Sequence, residues 1–456
     1  MVNKKLKVLR SIPTLSIGLQ KYFINIAFAM KSKRIFLNVS SEGPRLLYVV
    51  KEIFERRLNL DCVFSSNATR KHDDLVISYG GQDGDLQIPA CGLLNESNQL
   101  LFDFQWTKDQ LLSEITILDG LLSIDVFGVV FWFLSRYEEC QFSGPMDTYN
   151  RFPSSASKLT KLGILDFPVV DHLINSFSKI LINKGLEIEP LQSKVEFSFD
   201  IDNATAYKEK GVLRNLAGFG KDIFSFRLNK IFQRACVLSG FSKDPFDNFS
   251  EIKQISEYAH YKVNIFFWVG DYGKNDRGLN WQNLWFGNEI RDLAKFLEIG
   301  IHPSFNSFGH PGQITKEIER LETVTSAKVL KNRFHFLRFQ LPDSYKVLEI
   351  NKIEEDFSMG FSDVFGYRAG TGHSFFWYDL KSEKATNLKI HPFVMMDSLA
   401  YFKLKLNAEH FLNEVKKARD QAEKVGGKVH IIFHNEHFSW KGWKNIVLRV
   451  NELNPN

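Results

Sequence analysis

Cysteine is scarce in this chain. Cys62, Cys91, Cys140 and Cys236 are the only four in 456 residues, and no two form a Cys-x-x-Cys pair. That spacing argues against a cysteine zinc site or a disulfide framework and leaves reduced, structural thiols of a cytosolic chain. Long apolar runs are also missing. The best, Val126 to Leu134, is too short to span a bilayer and is flanked by Asp125 and Arg136. A dominant charge is absent as well: 58 Lys and Arg against 53 Asp and Glu give a net +5. The basic residues are scattered apart from Lys4-Lys5 and Lys31 to Arg34, so no nucleic-acid footprint forms. No internal repeat or low-complexity tract occurs. Near the N-terminus, basic Lys4 to Lys7 stands far from apolar Tyr22 to Met30, and no small-residue cleavage site precedes Lys31. That stretch reads as a helix lying on the first domain rather than a signal peptide.

The residues that are present describe a globular protein. Hydrophobic residues make up 44% of the chain and Phe alone numbers 42, which suits thick cores. The length is too great for one ordinary core and predicts two domains. Glu189-Pro190 and the polar Gln192-Ser193-Lys194 mark the division, giving residues 1–192 and 193–456. In the first part, Arg34–Val39 and Leu75–Tyr79 read as strands, and Arg45–Arg57, Val126–Tyr137 and His172–Asn183 as helices. In the second, Val195–Phe199, Val263–Val269, Gly300–His302, Phe336–Phe339 and Val429–His434 read as strands. Phe249–Tyr261, Asn288–Ile299, Thr315–Leu330 and Ala408–Val425 read as helices, the last stopped by Gly426-Gly427. Such alternation predicts a parallel sheet or an α/β barrel, with chemistry at the carboxyl ends of the strands.

The segment Val195-Glu-Phe-Ser-Phe-Asp200-Ile-Asp202 carries the sharpest signal. Side chains two apart on a strand share a face, so Asp200 and Asp202 lie together opposite Val195, Phe197 and Phe199. Paired carboxylates repel unless a cation or an acid/base task requires them. The pair reads as a metal or acid/base site, or else as a solvated strand end. Later strand ends add His302, Arg338 and His434. Anionic oxygen and imidazoles converging from several strands are what a divalent metal needs.

This ordered set resembles the polysaccharide deacetylase family of carbohydrate esterases over about Val195 to Val450. The resemblance implies an α/β fold in which a deformed (β/α) barrel catalytic domain follows a smaller α/β domain. It implies Asp200 as general base and Asp202 as metal ligand. In His302-Pro-Ser-Phe-Asn306, His302 matches a ligand, and Asn306 stands where the family has a second His. An amide oxygen is a poorer zinc ligand than imidazole. Three outcomes stay open: Asn306 binds through oxygen, His310 replaces it, or no metal binds. Arg338, near Pro342, would orient the base. Asp356 would tune His434, the general acid ending Ile431-Ile-Phe-His434. The cofactor implied is a divalent ion, Zn²⁺ or Co²⁺ or another. The substrate implied is an N-acetylated amino sugar of a bacterial glycan or its precursor. Gly43-Pro-Arg-Leu-Leu-Tyr48 and Ser135-Arg-Tyr-Glu-Glu139 are similar to a bacterial domain of unknown function found ahead of such domains.

The reaction expected is metal-assisted hydrolysis of the acetamide, with no nucleic-acid partner and no membrane span. The rival expectation is a degenerate relative that binds glycan without cleaving it. A metal-dependent phosphoester hydrolase is a third reading, disfavoured because no second-metal cluster is apparent. Trp268, Tyr345, Trp377 and Trp440 offer sugar-stacking faces or core rings. Gly366 to His373 reads as a groove loop with Arg368 facing substrate, or as a plain surface loop. Asp397, closing His391 to Asp397, reads as a site neighbour or a helix cap. Glu436 and His437 are expected at the rim.

Overall fold

The computed structural model describes residues 34–95 and 102–454. The helix expected over Tyr22 to Met30 lies outside them. Two sheets organise the rest. The first is six-stranded and uses β1 (Ile35–Asn38), β2 (Cys62–Phe64), β3 (Leu75–Tyr79), β4 (Leu86–Ile88), β5 (Ile117–Leu118) and β6 (Leu121–Leu122), in the order β2-β1-β3-β4-β6-β5. All neighbours are parallel except β5 and β6.

The second sheet has nine strands: β7 (Lys194–Ile201), β8 (Asn264–Phe267), β9 (Glu298–Ile301), β10 (Lys331–Asn332), β11 (Glu355–Asp356), β12 (Phe375–Asp379), β13 (Lys384–Ile390), β14 (Met395–Met396) and β15 (Lys428–His434). Their order is β12-β13-β11-β10-β9-β8-β7-β15-β14. Only β12 runs antiparallel. The fold is mixed α/β with mainly parallel sheets, and among the described residues this ladder is open rather than a closed barrel.

Both faces of β7 are buried. Val195, Phe197, Phe199 and Ile201 pack on one side, while Ser198 and Asp200 are buried on the other, as befits a parallel strand covered on both faces. The second face is polar inside. Ser198 Oγ lies 2.8 Å from His430 Nε2 and accepts from Arg333 Nη2 at 2.7 Å. Burial and the Arg333 charge push His430 well below its ordinary value, so its ring is neutral. The Ala408–Val425 helix follows its sequence signals. The Asn407 side chain caps it by accepting from the His410 N–H, and Gly426, at φ 63°, ends it in the left-handed region.

One apolar core runs through both sheets. Tyr48 donates to the Phe376 carbonyl at 2.7 Å, and Arg45 grips Glu383 through two nitrogens at 3.0 and 2.6 Å. Arg368 is buried and donates to Glu139 at 2.8 and 2.6 Å. This overturns the reading of Arg368 as a substrate contact: its guanidinium ties the first part of the chain to the second. No helix among the described residues is long and apolar enough to cross a membrane.

Candidate metal and acid/base site

Strand register assembles the site. Pairing of β7 with β15 sets His434 directly opposite Asp200. Pairing of β8 with β9 and of β9 with β10 brings His302 and Arg333 to the same end. The cavity there has a volume of about 320 Å³ and is lined by Asp200, Asp202, His302, His335, His434, Glu436 and His437, among others.

Ligand atoms of Asp202, His302 and His335 all lie within 4.8 Å of one another. His302 Nε2 is 3.1 Å and His335 Nε2 3.5 Å from the two Asp202 oxygens. The other nitrogen of each ring is taken. His302 Nδ1 is 2.6 Å from the Arg333 carbonyl, which only accepts, so Nδ1 carries the proton. His335 Nδ1 is 3.1 Å from Asp276 Oδ1. Each ring therefore turns Nε2 toward Asp202, the arrangement that outer partners impose on metal-binding histidines. Asp202 Oδ1 is buried without a well-directed hydrogen bond. Two imidazoles and one carboxylate, with one of its own oxygens buried and unsatisfied, fit a divalent cation with an open coordination position.

Electrostatics agree with that donor set. Burial would raise Asp202, but His335 and His302 hold it well below the carboxylate range. Burial would lower His335, yet Asp202 and Asp276 push it up to about 9. A cation bound to Nε2 would take the place of that proton.

Beside this cluster, Asp200 Oδ1 accepts from Arg333 Nη1 at 2.7 Å. Across the cavity, Asp397 Oδ1 is 2.6 Å from His434 Nδ1 and Asp397 Oδ2 is 2.8 Å from His437 Nδ1. Burial lowers His434, but Asp397 outweighs it and lifts the ring to about 10. Burial opposes the Asp397 charge, and His437 and His434 nonetheless hold it well below its ordinary value. Glu436 is shifted up by burial and then by the Asp202 charge. Its Oε2 accepts from Asn203 Nδ2 at 3.1 Å.

Of the residues expected from sequence, Asp200, Asp202, His302 and His434 come together and three others do not. Asn306 lies apart from the cluster and lines a neighbouring cavity with His310. The chain leaving β9 turns at Phe305–Ser307, fixed by the Phe305 and Asn306 N–H groups donating to Asp276 at 2.8 and 3.3 Å. The third candidate ligand is His335 instead. Arg338 does not reach Asp200: it donates to the carbonyls of Tyr149 and Phe305, and its guanidinium lies 4.1 Å from the Phe305 ring centre. Arg333 holds Asp200. The strand expected at Phe336–Phe339 is a turn with Phe336 and Leu337 at φ 57° and 52°, and the strand itself, Lys331–Asn332, ends earlier. Asp356 is buried among Asn332, Tyr345 and Ser358, all of which donate to it, and Asp397 is the partner of His434. Trp268, Tyr345 and Trp377 are core rings. Tyr149, Phe336 and Phe402 line the cavity.

His335 and Arg333 had a sequence signal. Lys331-Asn-Arg333-Phe-His335 places an Arg and a His two residues apart just past a strand, the same period as Asp200 and Asp202.

A family model described as a family of unknown function, DUF7033, matches residues 35–186. No curated protein matches the chain. Similar solved structures include one described as a polysaccharide deacetylase from Mycobacterium smegmatis, at 13% identity and TM-score 0.38, covering 58% of this chain and 86% of that one. A second, from Pseudomonas aeruginosa PAO1 and also described as a polysaccharide deacetylase, has 12% identity and TM-score 0.37 and covers 57% and 84%. PuuE allantoinase has 12% identity and TM-score 0.37 and covers 57% and 83%.

Proposed function

We propose that this protein hydrolyses the N-acetyl group of an amino sugar in a bacterial glycan or glycan precursor, using a divalent metal. The reading assigns this chemistry to a deformed barrel within residues 193–456, with residues 1–192 as a preceding domain. The observation that carries it is the convergence on one cavity of Asp202, His302 and His335, the Arg333-held Asp200 and the Asp397-held His434.

A cation held by Asp202, His302 and His335, zinc in the first instance, would supply Lewis acidity to the acyl carbonyl and to the attacking water. Asp200 takes the proton of that water, its carboxylate oriented by the Arg333 guanidinium at 2.7 Å. His434 enters the reaction protonated, since Asp397 holds it up to about 10. It gives its Nε2 proton to the departing sugar nitrogen while Nδ1 stays on Asp397. The C–N bond breaks, and acetate and a free amine leave. Tyr149, Phe336 and Phe402 offer ring faces to the sugar at the cavity wall.

The rival reading, glycan binding without cleavage, draws on the ion pairs of His335, which neutralise Asp202 without any metal. Acetate release from N-acetyl-oligosaccharides, with and without added Zn²⁺ or Co²⁺, separates the two. Metal-dependent release supports hydrolysis. Binding of the same sugars with no acetate under any metal sinks it.

A further inference from the structure

Between β7 and β8 the chain inserts two helices, Gly211–Phe224 and Leu228–Leu238, whose apolar side faces outward. Leu213, Phe224, Phe226, Leu228, Phe232 and Phe241 are between 73% and 89% exposed. The polar side chains face inward instead. Asn215 and Asp222 are buried, and Arg234 bridges them, donating to Asn215 Oδ1 at 3.1 Å and to Asp222 Oδ2 at 2.8 Å. Gly218 lets the guanidinium in, for a Cβ there would stand 2.4 Å from Arg234 Nη1. The hairpin is firmly based. Asp244 accepts from the N–H groups of Ala206, Tyr207 and Lys208 at 2.7, 2.8 and 3.0 Å and so clips its two ends together. Arg214 ties it to the Arg277 and Gly278 carbonyls at 2.8 and 3.2 Å. An outward apolar face on so well-fixed an element is built to be covered.

Charge identifies what covers it. Lys208 to Lys243 holds eight Lys and Arg against two acidic residues, a surplus larger than the +5 of the whole chain. Asp222 is already neutralised by Arg234. Lys221, Arg227 and Lys230 are exposed among the apolar residues. A second copy of the chain would bring this basic face against itself. Residues 1–33, with seven basic and no acidic side chains, carry the same sign. We infer that the hairpin docks on an anionic phospholipid surface, its Phe and Leu side chains entering the headgroup boundary and its Lys and Arg pairing with lipid phosphates. Docking lies in the plane of the surface, since neither helix is long enough to span. The hairpin follows β7, the strand that carries Asp200.

The test is co-sedimentation of the full chain with vesicles, read without turnover and so independent of the hydrolase reading. The chain should pellet with phosphatidylcholine–phosphatidylglycerol vesicles, far less with phosphatidylcholine alone, and less as salt rises. The triple variant Phe224→Ser, Phe226→Ser, Phe232→Ser should bind about tenfold more weakly or worse, with the wild-type melting temperature. If that variant folds poorly, Lys221→Glu with Lys230→Glu, both exposed, should lose the preference for anionic vesicles. Wild-type protein left in the supernatant, or variants that pellet like wild type, overturns the inference. So does a lipid-free dimer that the triple variant dissolves, which would give the face to a second copy.

Discussion

Asp397 Oδ1 stands 2.6 Å from His434 Nδ1, and the same carboxylate accepts the His434 backbone N–H at 2.7 Å. The register that pairs Met396 with Ile432 brings the residue after β14 to the end of β15. His434 is thereby cationic at neutral pH and stays so until the pH rises through about 10. Asp397→Asn removes the strongest charge that lifts it and leaves burial, which lowers it, opposed only by the weaker pull of Asp202 and Asp200. The alkaline limb of the pH–rate profile should move to lower pH, and kcat should fall by about 10²–10⁴-fold. An unshifted alkaline limb in the variant would remove His434 as the acid.

The cluster of Asp202, His302 and His335 predicts metal content residue by residue. Ala at any of the three should abolish stoichiometric metal after dialysis against Zn²⁺, measured by elemental analysis. Asp200→Asn should keep the metal and lose turnover. Asp276→Asn weakens the hydrogen bond that orients His335 and should cost about 10–100-fold in metal affinity. Asn306→His, outside the cluster, should leave the affinity unchanged. A His335→Ala protein that holds metal normally would return the third position to another donor.

Arg333 is fully buried between Asp200 and Ser198. Replacing it with Met leaves a buried carboxylate without its cation, which should cost about 3–5 kcal/mol in urea unfolding. Arg333→Met combined with Asp200→Asn should recover much of that loss, because the uncompensated charge goes with it. A single variant as stable as wild type would show that Asp200 finds another partner.

The site was legible where a motif and its strand coincide. Asp200 lies at the end of β7 with Asp202 just past it, so period-two alternation placed them together, and His434 was placed by the apolar strand β15 that it ends. The errors share one cause. Beyond a strand end, the backbone turns under tertiary hydrogen bonds that no local pattern announces. Asp276 draws in the turn at Phe305–Ser307 and turns Asn306 away. Phe336 and Leu337 take left-handed conformations, so Arg338 faces Tyr149 and Phe305 while Arg333 and His335 occupy the site. Asp397 reads from sequence only as a site neighbour or a helix cap, and its partnership with His434 goes to Asp356 instead, because the β14 strand that sets it has only two residues. The tie between Glu139 and Arg368 spans more than two hundred positions and leaves no local trace.

That tie also makes a prediction about pH. Burial would raise Glu139, but Arg368 and Arg136 overcome it and hold the carboxyl at about 2 against an ordinary 4.5. A carboxyl lowered on folding stabilises fully above its unfolded value, and that stabilisation is lost as the pH falls from 4.5 toward 2. The shift corresponds to about 3 kcal/mol at neutral pH. Glu139→Gln should therefore unfold at lower urea at pH 7, with a shallower loss of stability between pH 5 and 3 than wild type. Because Glu139 precedes the second sheet and Arg368 lies in the loop between its strands β11 and β12, the variant also tests whether the two parts unfold together. A single urea transition that shifts as a whole means that the shared core couples them. Two transitions in the variant, where wild type shows one, mean that this ion pair is what makes them cooperative.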